Sequence, residues 1–316
     1  MPINDSTSSA DPIRVLVAWR PDSRGTESLE FAAWLGRTTP IVVRVATTFL
    51  RPWPSTSLSK LGGKYSKWHR KEALACDTKV RKALRNAGLP EEQWDEDVSV
   101  FSDGTSESVL LTQAAADFGA DLMVLGSKAA APKGRFLAGS TADALLHSSP
   151  QPLALAPRAV KLSKRGVTRV NFAYLTGDPE ESTQSLYFAA SLAQRWQLPL
   201  RVLAFSPGGI ADDPVNDQLD LAADLTVEWR EHSMALLDRA KDSVLDRYPE
   251  LNMTTDIGSG AGWSGAVESL KWKKGDLICL GSAPPGPIER VFIGSTATDF
   301  LGHVQVPVLI HPVRQG

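Results

Sequence analysis

The chain of 316 residues contains one sequence unit twice, and this duplication constrains its fold more than any other feature. A shift of 155 residues superimposes three pairs of segments, which begin at Arg14 and Arg169, at Ala120 and Gly275, and at Gly139 and Gly294. The repeating unit is far longer than the roughly 20–50 residues of a solenoid repeat. The duplication therefore predicts two tandem domains and not a stacked array.

Each copy alternates short apolar runs, rich in β-branched residues, with segments of helical period. This alternation is typical of a parallel sheet covered by helices on both faces. The predicted strands are 13–20, 41–47, 96–102, 121–126 and 152–157 in the first copy, and 168–175, 198–205, 251–257, 276–281 and 306–312 in the second. The longest predicted helix covers residues 218–248.

These patterns predict an α/β fold of two tandem five-stranded parallel-sheet domains, residues 12–158 and 168–316. Residues 159–167 form a basic, aperiodic segment that we interpret as the interdomain linker. Residues 1–11 are polar, and we expect a disordered tail there.

Composition argues against several classes of protein. A net charge of -2 gives no overall field for nucleic acid or for acidic membranes, and the sequence has no apolar run long enough to span a bilayer. The two cysteines, Cys76 and Cys279, form neither a disulfide framework nor a zinc motif, and the five histidines have no metal-ligand spacing. We expect a cytoplasmic protein without a metal site.

The segment from Gly126 to Thr141 lies between the fourth strand and a helix-like run. Ligands of open α/β sheets collect at the carboxyl ends of strands, and a helix start offers unpaired N–H groups to a phosphate. Gly139, Ser140 and Thr141 in the first copy, and Gly294, Ser295 and Thr296 in the second, have this chemistry. The alternative is that the hydroxyl residue is an ordinary N-cap and the glycine permits a tight turn.

The repeated five-strand pattern, the Gly-x2-Gly-x9-Gly-Ser/Thr type of loop and the final strands resemble the universal stress protein family in its tandem form, over roughly residues 12–314. The resemblance implies a nucleotide-type α/β fold, and some members bind ATP through this loop. Carried over, the motif gives Gly126, Gly139 and Ser140 in the first copy and Gly281, Gly294 and Ser295 in the second.

Two departures from the family pattern indicate weakened nucleotide binding. The middle glycine of the loop is Ala129 in the first copy and Pro284 in the second, and proline removes an amide donor. ATP-binding members carry an aspartate at the end of the first strand, where this chain has Arg20 and Leu175. Arginine has donors and no acceptor, so it could pair with a phosphate but cannot receive a ribose or adenine proton.

Charge distinguishes the two loops. Lys128, Lys133 and Arg135 lie in the first, whereas Glu289 and Arg290 nearly cancel in the second. If either loop binds an anion, we expect the first to do so; the alternative is that these lysines belong to an ordinary solvated loop.

Two further features, a basic and aromatic segment and a tryptophan at the end of the first strand, each allow a functional and a structural interpretation. The basic and aromatic segment from Lys64 to Lys71 has the composition of a nucleic-acid stacking patch, but it also fits the polar start of a helix over the sheet, which we favour. Trp19 could stack on a base or pack in the core.

We therefore expect a non-enzymatic, regulatory or protective stress protein with degenerate nucleotide sites and no catalytic residues. The alternative is an ATP-binding sensor, with magnesium, that uses the first loop and hydrolyses ATP slowly; an adenylate-chemistry enzyme is a weaker third option. We expect the final strands, 152–157 and 306–312, to pair antiparallel in an internal pseudo-dimer. A homodimer and an unidentified protein partner are left open, with no nucleic-acid or membrane partner expected.

Overall fold

The computed structural model describes residues 11–22, 25–51, 63–175, 179–208, 221–282, 291 and 294–312. Domain 1 contains β1 (Ile13–Ala18), α1 (Glu27–Leu35), β2 (Ile41–Leu50), α2 (Gly63–Ala87), a 3-10 turn (Glu91–Gln93), β3 (Trp94–Gly104), α3 (Glu107–Phe118), β4 (Leu122–Gly126), α4 (Ser140–Leu146) and β5 (Leu153–Ala156). Domain 2 contains β6 (Arg169–Tyr174), α5 (Pro179–Arg195), β7 (Leu200–Gly208), α6 (Leu221–Arg247), β8 (Met253–Ala261), α7 (Gly262–Glu268), β9 (Asp276–Ser282), α8 (Ser295–Leu301) and β10 (Val308–Pro312).

All ten strands form one sheet in the order β3-β2-β1-β4-β5-β10-β9-β6-β7-β8. The strands are parallel within each domain, and the two halves meet where β5 and β10 pair antiparallel, with Ala154 opposite Leu309. This pairing confirms the predicted contact between the final strands of the two copies. The backbone groups at one edge of each half-sheet are thereby satisfied by the other half.

The sheet separates two apolar cores because alternate strand residues point to opposite faces. Val15 and Val17 of β1 face the layer that contains α1, α2, α5 and α6, whereas Leu16 faces the layer of α3, α4, α7 and α8. The long helix α6 buries Leu237 and Val244 against the first of these layers. The predicted helix 218–248 is confirmed over 221–247, and residues 218–220 lie outside the described residues.

Several strand boundaries differ from the sequence prediction. The strand predicted at 198–205 begins at Leu200, because Leu198 N–H still bonds to Ala193 O at 2.8 Å and closes the end of α5. The strand predicted at 251–257 runs from Met253 to Ala261, since its second half pairs with the extended β7. The first strand ends at Ala18 and not at residue 20. Residues 1–10 of the predicted tail lie outside the described residues.

The connection between β5 and β6 contains no helix or strand but is bonded to both domains. Val167 N–H donates to Thr38 Oγ1 of domain 1 at 2.7 Å, and Ser163 N–H donates to Lys274 O of domain 2 at 2.9 Å. Gly166 adopts a φ of 80° between these two attachments. The predicted linker is therefore held in place on both sides.

Candidate functional site

One cavity of about 620 Å³ in domain 1 brings together seven of the residues named for its nucleotide loop and for the end of β1, but not Lys133 or Arg135. It is lined by Arg20, Gly126, Lys128, Ala129, Gly139, Ser140 and Thr141, together with residues that the sequence did not indicate. The cavity lies at the carboxyl ends of β1, β2 and β4, where the sheet order departs from the chain order. This is the topological switch point at which open α/β sheets bind ligands.

The loop between β4 and α4 is closed by its own hydrogen bonds. Lys128 N–H donates to Leu137 O at 2.9 Å, and Leu137 N–H donates to Ser127 Oγ at 2.9 Å. Ala131 N–H donates to Lys128 O at 2.9 Å. The Lys128 amide is therefore engaged within the loop, while its side chain remains at the cavity wall.

The helix start in this loop is capped by glycine and not by a hydroxyl residue. Gly139 is the N-cap of α4, with φ of -85° and ψ of 175°, and no side chain caps the helix. The alternative interpretation of the serine as an N-cap is therefore wrong, because Ser140 is the first helical residue. The first N–H groups of α4 have no intrahelical acceptor and face the cavity end of the sheet.

Arg20 is paired within its own loop. Its Nη2 lies 2.8 Å from Asp22 Oδ2, and its Nε lies 3.1 Å from Oδ1. The hydrogen bond from Arg20 lowers the pKa of Asp22 and holds that carboxylate ionised. A phosphate would therefore have to compete with Asp22 for Arg20, which weakens the predicted pairing of Arg20 with an anion.

Glu107 is the main residue of the cavity that sequence reasoning missed. Thr48 Oγ1 donates to Glu107 Oε1 at 2.7 Å, and the Thr141 hydroxyl donates to Oε2 of the same carboxylate. Glu107 thus ties the end of β2 to the start of α4 and occupies the Thr141 hydroxyl, one of the two hydroxyl donors expected to bind phosphate; Ser140 carries the other. No motif indicated it, because it lies on α3, far in sequence from the loop.

The ionisable groups of this cavity balance. Among the described residues, three cations and three carboxylates line it: Arg20, Lys128, Arg158, Asp22, Glu27 and Glu107. Arg135, expected to supply another cation, is not part of this lining; its Nη2 lies 2.9 Å from Glu268 Oε1 of domain 2. The described part of the lining therefore carries no positive excess of the kind that a polyphosphate needs.

Trp19 borders the cavity while packing against the core. Its indole Nε1 donates to Gly25 O at 2.9 Å, and its ring packs partly buried on the layer of α1 and α2. Both interpretations of this ring thus find support in its position, since it is a packed residue at a cavity wall.

The Lys64 to Lys71 segment begins α2, as the favoured interpretation expects. The Tyr65 hydroxyl donates to Asp103 Oδ2, and His69 Nε2 lies 3.3 Å from Asp103 Oδ1. The Trp68 ring lies 5.1 Å from the Phe49 ring. The aromatic side chains of this segment are therefore directed onto β2 and β3.

The corresponding region of domain 2 is packed with aromatic rings. In domain 1, Val43 of β2 lies beside Val15 of β1, and in domain 2 Leu200 of β7 lies beside Val170, the repeat equivalent of Val15. Leu200 therefore corresponds to Val43, and Phe205 corresponds to Thr48. The Phe205 ring lies 5.0 Å from Phe300 and 6.0 Å from Trp263. Gly262 stands at the position of Glu107 under the repeat shift, and it begins α7 as Glu107 begins α3.

Domain 2 retains the other predicted positions of its loop. Gly281 lies in β9, Gly294 is the N-cap of α8, and Ser295 and Thr296 are the first two helical residues. Leu175 packs against the core layer of α7 and α8. Three other residues named above for this loop lie outside the described residues: Pro284, Glu289 and Arg290.

None of the described helices is long and apolar enough to cross a membrane. Within the same part of the chain, histidine, cysteine and carboxylate side chains form no group of three that could hold a metal ion.

The fold defines a two-domain α/β protein in which a loop after the fourth strand of each domain leads into a glycine-capped helix. The family model described as "Universal stress protein family" matches residues 13–157 and again residues 171–312. The chain belongs to the universal stress protein family, in its tandem form. This membership confirms the family and the fold class indicated by the sequence and supports a role in the stress response.

Similar proteins cover nearly the whole chain. It is 28% identical over 299 residues to universal stress protein Rv2319c of Mycobacterium tuberculosis, which covers 94% of this chain and 99% of that protein. Among solved structures, a universal stress protein from Archaeoglobus fulgidus has a TM-score of 0.62 at 18% identity and covers 95% of this chain and 98% of its own. A putative universal stress protein from Pseudomonas aeruginosa has a TM-score of 0.54 at 16% identity, over 96% of this chain and 94% of its own. These structural likenesses concern the fold.

Proposed function

We propose that this protein acts in the stress response as a non-enzymatic, regulatory or protective protein whose nucleotide sites are degenerate. The observation that carries the proposal is the state of the domain 1 cavity. Glu107 holds the Thr141 hydroxyl, Asp22 holds Arg20, and the charges of the described lining side chains cancel. A triphosphate entering this cavity would meet one carboxylate at the helix start where its own negative charge must lie.

Domain 2 supports the same proposal by a different route. Phe205 and Trp263 place apolar rings at the positions of Thr48 and the start of α3. Aromatic rings cannot donate the hydrogen bonds that phosphate oxygens require, apart from the single indole N–H. We propose that domain 2 serves as the structural partner of domain 1 through the β5–β10 pairing.

The proposal is tested by mass spectrometry of ligands released from freshly purified protein and by calorimetric titration with magnesium ATP. We expect the purified protein to release no stoichiometric nucleotide, and we expect no micromolar binding of magnesium ATP in the titration. In Glu107→Gln the repulsive charge is removed, and the affinity for ATP should rise of the order of tenfold. Glu92→Gln, an equal charge change at the exposed amino end of β3, is the matched control and should leave the affinity unchanged.

The alternative function is an ATP-binding sensor, favoured by the convergence of all seven predicted residues around one cavity. Gly139→Val and Gly294→Val distinguish the two functions, because no described atom lies within 4 Å of a Cβ built at either position and we therefore expect both variants to fold. Micromolar ATP binding that is lost in Gly139→Val and kept in Gly294→Val would establish the sensor and overturn the proposal.

A further inference from the structure

A groove runs along the junction of the two domains, and its described lining residues differ from those of the candidate nucleotide cavity. It consists of two adjoining cavities of about 1010 and 410 Å³ that share Val160, Lys161 and the segment 272–274. Domain 1, the linker and domain 2 all contribute to its walls. We call it the junction groove.

The junction groove concentrates positive charge in a chain whose net charge is -2. Six exposed cations line it: Arg37, Lys133, Lys161, Lys164, Lys273 and Lys274. Among the described lining residues, Glu30 is the one carboxylate, and its Oε1 already accepts a hydrogen bond from Thr26 at 2.7 Å. None of the six cations has an ion pair with a residue that the structure describes.

The backbone that carries these cations is fixed. Ser163 N–H donates to Lys274 O at 2.9 Å, and Thr168 N–H donates to Gly275 O at 2.7 Å, so the linker is bonded directly to the lysine-rich turn of domain 2. On the other side, Thr38 receives the Val167 N–H beside Arg37. The like charges are therefore held near one another by the fold, at a cost that a bound anion would remove.

The kind of cation indicates the kind of ligand. Five of the six are lysines, which act as point charges without the fork that selects single carboxylates or phosphates. A nucleic acid would also need rings for stacking, but in the part of the lining that the structure describes Trp272 is the only aromatic residue, and the Arg201 guanidinium already lies 4.9 Å from its ring centroid. We propose that the junction groove binds a linear polyanion of the inorganic polyphosphate class.

The test is a titration of the full-length protein with labelled polyphosphate chains, followed by fluorescence anisotropy at several salt concentrations. We expect binding that weakens steeply with salt, because counterions are released from the chain. The variant Lys161→Glu/Lys273→Glu/Lys274→Glu should weaken binding about tenfold or more, since it reverses three charges in the groove. The matched control reverses three exposed lysines on helices α2 and α6, Lys79, Lys82 and Lys241.

Each outcome bears on the proposal. Binding that falls in the groove variant and stays within about twofold in the control supports it. Undetectable binding to the wild type, or equal loss in both variants, would refute a defined groove. Single-stranded DNA or polyglutamate of equal charge that binds as tightly would overturn the choice of polyphosphate, and equal affinity for single phosphate ions would overturn the linear ligand.

Urea unfolding midpoints of both triple variants, compared with that of the wild type, will test whether the variants are folded. The variant Lys161→Gln/Lys273→Gln/Lys274→Gln repeats the binding test with smaller charge changes. The nucleotide cavity shares no lining residue with the groove. Magnesium ATP titrations of the same variants therefore keep this result separate from the proposed function.

Discussion

Replacing Gly166 by alanine should detach the linker from domain 1. Gly166 has a φ of 80°, in the left-handed region, and a Cβ built there would lie 2.4 Å from Thr38 Oγ1 and 3.1 Å from the Arg37 carbonyl carbon. The Thr38 hydroxyl cannot simply rotate away, because it accepts the Val167 N–H at 2.7 Å. The substitution therefore combines backbone strain, a steric clash and the weakening of one hydrogen bond.

The expected cost follows from these three contributions. Left-handed backbone costs an alanine about 1–2 kcal/mol, overpacking against backbone atoms costs about 1–3 kcal/mol, and a weakened hydrogen bond costs up to about 1 kcal/mol. We expect Gly166→Ala to lower the free energy of unfolding by about 3 kcal/mol. Gly134 also has a φ of 80°, but nothing lies within 4 Å of its Cβ position, so Gly134→Ala should cost only the backbone strain.

The assay is urea unfolding of both variants, followed by tryptophan fluorescence and by far-ultraviolet circular dichroism. Coincident transitions would allow a two-state free energy to be compared among the proteins. The difference between Gly166→Ala and Gly134→Ala isolates the contact with Thr38. Equal destabilisation of the two variants, within about 0.5 kcal/mol, would show that the linker does not press on domain 1 as described.

Two further predictions concern buried ionisable groups of domain 2. Burial raises the pKa of Tyr174 from its ordinary value of 10.0 to about 12. The stability that its neutral form contributes is therefore fully present below pH 10 and is lost between pH 10 and 12, at about 1.4 kcal/mol per pH unit. Urea unfolding across that range should show a shallower pH dependence in Tyr174→Phe, and identical profiles would contradict the assignment. Asp276 is fully buried, with Arg169 Nη2 at 2.6 Å and Arg201 Nη2 at 3.9 Å, and Asp276→Asn should cost about 3 kcal/mol of unfolding free energy, because Arg169 loses its carboxylate and Arg201 keeps only the half-exposed Asp256. Asp256→Asn, half exposed and 3.7 Å from Arg201, is its control and should cost less than about 1 kcal/mol; similar losses in both would refute the argument.

The sequence predicted the ten strands and their grouping because apolar periodicity and the repeat are properties of the chain itself. It did not predict boundaries that depend on contacts distant in sequence. The extension of β8 through Gly258 and Gly260 exists because β7 offers a partner strand, whereas glycine is a poor strand former locally. Likewise, α5 continues into a turn that ends before Leu200, and here Pro199 was a signal in the sequence that could have marked this end.

The sequence predicted the residues of only one wall of the candidate cavity. The glycine spacing of the loop and the end of β1 identified one wall, because these positions follow the strand ends directly. Glu107 and Thr48 belong to other elements, and only the packing of α3 over β2 brings them to Thr141. The pairing of Arg20 with Asp22, by contrast, could have been predicted from the sequence, because these two residues lie only two positions apart.

The two domains repeat the same order of strands, but they differ in the side chains at the carboxyl end of the second strand and the start of the following helix. We call this region the corner of each domain. Thr48 and Glu107 keep the domain 1 corner polar and open, whereas Phe205 joins Phe300 and its neighbours in the corresponding core of domain 2. A buried ring in place of a hydroxyl stabilises packing by burying apolar area but removes a hydrogen-bonding group from the corner. Any ligand of the domain 1 type should therefore bind once per chain, while the second copy contributes a core and an antiparallel strand that the first copy needs.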